Sequence, residues 1–146
     1  HPELELVFIL KSKGTHFIGD NIDKFDVGDV ILIGKDLPHM WLNDESYFEE
    51  SSQKMAEAIA IHFKKDFLGE AFLNAPENNK ISKLLELGVR GIKFLDIKKS
   101  VLDDIKSLLN LKPFKKMIQF IELLDLLASH QNIKILSSSS FLDTFS

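Results

Sequence analysis

A change of pattern partway along the chain constrains its fold more than any other feature. Leu4–Leu10, Thr15–Ile18, Val30–Ile33 and Met55–Phe63 are short runs rich in Ile, Val, Phe and Leu. Turn signals separate them: KSKG ending at Gly14, GDN at Gly19–Asn21 and VGD at Val27–Asp29. Short apolar runs at this spacing predict an antiparallel sandwich or barrel rather than βαβ units. In the last run Met55, Ile59, Ile61 and Phe63 share one face and Ala58, Ala60 and His62 the other, with neither face strongly polar. Both faces of that strand are therefore expected to be covered.

The second half follows a helical period instead. Ile81, Leu84 and Leu85 form one face after Pro76, and Gly88 is expected to cap the C-terminus. Gly91–Leu95 reads as a return strand. Asp96 is placed to cap a helix whose stripe is Ile97, Val101, Leu102, Ile105, Leu108 and Leu109. Pro113 then opens another helix. From Phe114 to Ala128, ten of fifteen residues are apolar, a wider stripe than packing on one side requires. Met117, Phe120, Ile121, Leu124 and Leu127 are therefore candidates for a homodimer interface, the alternative being burial within one chain. Ser137–Ser140 reads as a flexible joint.

Composition narrows the function. The 146 residues carry a net charge of -4, which argues against a dedicated nucleic-acid surface within them. There is no cysteine, so disulfides and thiolate metal sites are excluded, in keeping with a reducing cytoplasm. No apolar run approaches the roughly 18 residues that span a bilayer. Neither a Gly-rich phosphate loop nor an activated-serine motif is present.

Two spaced motifs suggest a family. His1 and Glu5 stand as a histidine, three spacers and a glutamate; Gly28, His39 and Asn43 stand at the spacing of a second motif. Together they resemble the two motifs of cupins, and more narrowly the N-terminal sensing domain of AraC-type transcriptional regulators. The match departs at the turn, where Gly34 and Asp36 replace the family's Pro and Gly, and at Ser12, where the first motif has glycine. Val89–Phe94 is similar to that family's connector, Ile97–His130 to its dimerising helical hairpin, and the serine-rich tail to the joint before its DNA-binding half.

The resemblance implies an α+β fold: a cupin-like antiparallel β-barrel, or jelly roll, over residues 1–95 with a short helical insertion, a helical hairpin over 96–136, and a linker over 137–146. It implies a cytoplasmic, non-enzymatic, homodimeric sensor that takes a small effector, such as a sugar, into the barrel. DNA would be bound only through helix-turn-helix units beyond Ser146, and no cofactor is expected.

Glu5, His16, His39 and Trp41 are the candidate ligand-binding residues, Trp41 offering a flat face on which sugars or aromatic rings stack. Each reads equally as core or rim packing, and His39 as a histidine that fixes a loop at the barrel mouth. The alternative is a small metal-dependent cupin enzyme, an isomerase or dioxygenase, with His1, Glu5 and His39 as ligands. His62 reads as a packed or edge histidine, and His130 as a partner for a helix dipole.

Overall fold

The computed structural model describes residues 3–44 and 57–143. In the first part, β1 (Leu4–Ile9), β2 (Gly14–Ile18), β3 (Asn21–Phe25), β4 (Val30–Ile33), β5 (His39–Asn43) and β6 (Ala58–Phe63) follow one another. Next come α1 (Glu70–Asn74), α2 (Asn79–Leu87), β7 (Ile92–Phe94), α3 (Lys99–Ser107), α4 (Pro113–Ala128), β8 (Ile133–Ile135) and α5 (Ser139–Asp143). The fold is α+β. A five-stranded sheet has the order β6-β1-β4-β7-β8 and a three-stranded sheet the order β3-β2-β5. Every pairing is antiparallel. Among the described residues no ladder joins the two sheets into a closed barrel.

Strand alternation divides the interior in two. Leu4, Leu6 and Phe8 of β1 face the helices, in a core with Leu32, Ile92, Leu85, Ile105 and Leu124. Val7 and Ile9 point the other way and join Ile31, Ile33, Ile18 and Phe25 between the sheets. Both faces of β1 and β4 are thus covered, which is why these strands read as unbroken apolar runs. In β6 only one face is covered: Ile59 and Phe63 are buried, while Ala58, Ala60 and His62 are exposed. Met55 lies outside the described residues.

The helices differ from expectation at their ends. Gly88 stays right-handed at φ -58, prolonging α2 as a 3-10 turn over Gly88–Arg90. The left-handed turn falls at Gly91, φ 74, because the chain must reverse there into β7. Asp96 does not cap α3, whose N-cap is Lys98. Asp96 is itself left-handed, φ 56, and accepts a hydrogen bond from the Asn132 amide at 2.6 Å.

The tail is pinned rather than loose at its start. Leu136 and Ser137 are buried, and the Ser137 amide donates to Arg90 O at 2.7 Å while Arg90 Nε donates to Ser137 O at 2.9 Å. The Ser138 amide donates to the Asp20 carboxylate at 2.8 Å, and the Ser138 hydroxyl donates to its other oxygen. These bonds hold Asp20 below the ordinary carboxylate range. Residues 137–140, expected as a flexible joint, therefore begin docked on the β2–β3 turn.

Candidate functional site

The polar groups converge between the sheets. Alternation in β1 turns Glu5 inward beside Val7, and alternation in β5 turns His39, Trp41 and Asn43 inward while Met40 and Leu42 face solvent. The turn into β5 fixes His39: its Nδ1–H donates to Leu37 O at 2.9 Å. That leaves Nε2 aimed at Glu5, 3.5 Å from Oε2. The two side chains are only 20% and 12% exposed, so their attraction is weakly screened.

Each shifts the other. The His39 ring holds Glu5 below the usual carboxylate range against the opposing effect of burial, with His62 across the strand pair adding to it. Glu5 in turn raises His39 above the ordinary imidazole value. The ion pair thus bridges β1 of one sheet and β5 of the other.

His16 is a second polar group in the same layer. It is 0% exposed and meets Trp41 edge-on at a centroid distance of 5.7 Å, with Phe25 on Trp41 at 5.2 Å. Among the described residues neither ring nitrogen has a hydrogen-bond partner. Burial first, and then the Lys93 ammonium, hold its pKa below the ordinary value. Lys93 reaches across the layer, donating to Lys24 O at 2.8 Å and lying 3.3 Å from the Asp29 carboxylate. Lys134 pairs with Asp23 at 2.5 Å, which holds that carboxyl low. These lysines link β7 and β8 of one sheet to the β3 strand of the other and to the turn before β4.

On the β6 side the layer opens into a cleft of about 280 Å³. Glu5, Val7, Trp41 and Asn43 line it, and the small side chains of Ala58 and Ala60 leave the room. Of the candidate residues, Glu5 and Trp41 therefore line the cleft. His39 stands behind Glu5, and His16 behind Trp41. Asn43 and Phe25 also line it; the motif spacing had marked Asn43, whereas nothing in the sequence singled out Phe25. Gly28, the motif glycine, adopts φ 91 in the turn before β4.

His1 lies outside the described residues. Among those described, no three His, Asp or Glu side chains group so as to hold a metal, and Glu5 with His39 supplies two ligands.

The helical candidates separate by exposure. Phe120, Leu124 and Leu127 are buried in the chain's own core, and Met117 and Ile121 are half-buried. The outward apolar residues of α4 are Phe114, Ile118 and Leu126. His62 lies on the edge strand β6. His130 donates from Nε2 to Leu95 O at 2.5 Å, tying the end of α4 to the sheet.

No model of a known protein family matches the chain, and no curated protein matches it. No helix among the described residues is long and apolar enough to cross a membrane.

Proposed function

We propose that the chain binds a small polar effector between its two sheets and is the sensing and dimerising part of an AraC-type transcriptional regulator. In this reading the sheets are a cupin-like jelly roll, α3 and α4 are the dimerising hairpin, and helix-turn-helix units beyond Ser146 bind DNA in the cytoplasm. The meeting of Glu5 with His39 at the edge of a largely apolar cleft with a few polar groups carries the reading, because two motif residues from separate strands converge there. A cleft of about 280 Å³ is near the lower end of the roughly 300–1,000 Å³ of ligand pockets, so the effector is of monosaccharide size. Trp41 provides the stacking face, and Glu5 and Asn43 the hydrogen-bonding groups.

A panel of monosaccharides and small polyols, titrated against Trp41 fluorescence, tests this. Saturable quenching that is lost in Glu5→Gln supports the proposal; an unresponsive Trp41 across the panel counts against it. The metal-dependent enzyme is the second reading. It is favoured by the way Leu37 O fixes Nδ1 of His39 and presents Nε2, an arrangement common in metal-binding histidines. Stoichiometric metal in the purified chain that disappears in His39→Ala would establish it over the sensor.

A further inference from the structure

A concavity of about 840 Å³ lies on the helix side of the five-stranded sheet; it shares Ala60 of β6 with the inter-sheet cleft but contains none of the inter-sheet candidates. Its floor is aromatic. Phe63 of β6 and Phe120 of α4 meet edge-on at 4.9 Å between centroids, and Phe67 contacts both at 5.8 and 5.7 Å. These rings brace one another, so the floor is formed in advance of any ligand. Ile59 of β6 and Met117 of α4 stand on its walls.

The rim is cationic. Lys64 follows β6, and Lys116 lies in the first turn of α4, where there is no acidic residue. Neither lysine has an ion-pair partner among the described residues. Lys112 and Lys115 are exposed beside Lys116. Among the described residues the only acid in the lining is Glu3, before the start of β1. A lysine stem can lie along apolar surface while its head stays in water, so both rim residues can reach an anion at the mouth.

We infer that this groove binds a medium- to long-chain carboxylate, its alkyl tail on the phenyl floor and its headgroup at Lys64 and Lys116. The volume is within the range of small-molecule pockets, and the lining is apolar with few polar groups, as such pockets are. A neutral tail would leave the lysines without counter-charge. A second copy seated symmetrically would bring two lysine rims of the same sign together.

Titrating the full chain with dodecanoate below its micelle concentration tests the site, with methyl NMR locating it. The expected result is one dodecanoate per chain, with shifts at Ile59, Ile61 and Met117 and none at Ile31 or Ile33. Lys116→Glu should weaken binding by about tenfold or more, the size of one charge-assisted hydrogen bond, and dodecanol should bind weaker than dodecanoate by a similar factor. Lys116→Gln, with circular dichroism on both variants, separates lost charge from lost folding. Equal binding of dodecanol or of dodecyltrimethylammonium would overturn the inference, as would shifts confined to the inter-sheet methyls. So would a dimer in sedimentation that buries Ile59 and Met117 and excludes dodecanoate.

Discussion

Replacing His16 with phenylalanine should stabilise this protein. The ring is fully buried, and neither nitrogen has a partner among the described residues. A buried donor or acceptor left unpaired costs about 1–3 kcal/mol. Phenylalanine removes that polarity and keeps a ring edge against Trp41, where the centroids now stand 5.7 Å apart. Its slightly larger ring gives back about 1 kcal/mol in crowding. The net expectation at pH 7 is a gain of about 0–2 kcal/mol, or up to roughly 8 °C in Tm for a chain of this size.

Acid should widen the difference. Burial and Lys93 depress the His16 pKa in the fold, so the unfolded chain binds a proton that the folded chain resists. A group shifted down contributes stability in full above its unfolded value, about 6.5, and loses it as pH falls through the depressed folded value. The parent therefore weakens through this group as pH falls below about 6.5, and the variant does not. Urea denaturation followed by far-ultraviolet circular dichroism at pH 7, 6 and 5 reads both effects, since Trp41 fluorescence would change with its neighbour. A variant less stable than its parent, or a gap that narrows in acid, would refute the reasoning: the His16 nitrogens would then be satisfied in the folded protein.

Glu5→Gln should lower the His39 titration midpoint in proton NMR. Its stability cost should be largest near pH 5–6.5, because the pair's contribution fades as pH rises through the raised His39 value and as it falls through the lowered Glu5 value. Leu124→Ala, at a fully buried site, should cost about 2–5 kcal/mol in denaturant melts. Ile118→Ser should leave stability nearly unchanged and weaken any dimer seen by sedimentation; a large loss of stability would place Ile118 in the core instead. Gly34→Ala should destabilise by about 1–3 kcal/mol, because a Cβ there would lie 2.4 Å from Val89 Cα and 2.5 Å from Gly88 O.

The strands that show most plainly in the sequence are those covered on both faces, β1 and β4. Val30–Ile33 is wholly buried, and its unbroken apolar run announces it. Two strands of the three-stranded sheet, β3 and β5, hide because their alternation is inverted. In β3, Asn-Ile-Asp-Lys-Phe, Ile22 faces solvent at 67% exposure while Asp23 turns inward to Lys134. In β5, Met40 and Leu42 are exposed and His39 and Asn43 face in. A reading from hydrophobic period expects the reverse on both strands. The short strand β8 alternates Ile-Lys-Ile over only three residues, too short a run to stand out, and is held by its ladder to β7.

The same inversion explains what was legible of the site. Motif spacing marked Glu5, His39 and Asn43, since each lies at a fixed register on its own strand. It could not show that Lys93 and Lys134, cross-strand partners on β7 and β8, turn toward Asp29 and Asp23. Nor could it show the groove, whose walls come from β6, the segment after it and α4. Of the buried polar residues among those described, His16 and Lys93 point between the sheets and Ser12 lines the cleft. Burying polar and charged groups costs stability unless they are fully paired, and one of these is not. A layer selected for stability alone would be apolar there, as the helix-side core is. The concentration of polarity between the sheets is therefore the physical argument for seeking recognition in that layer.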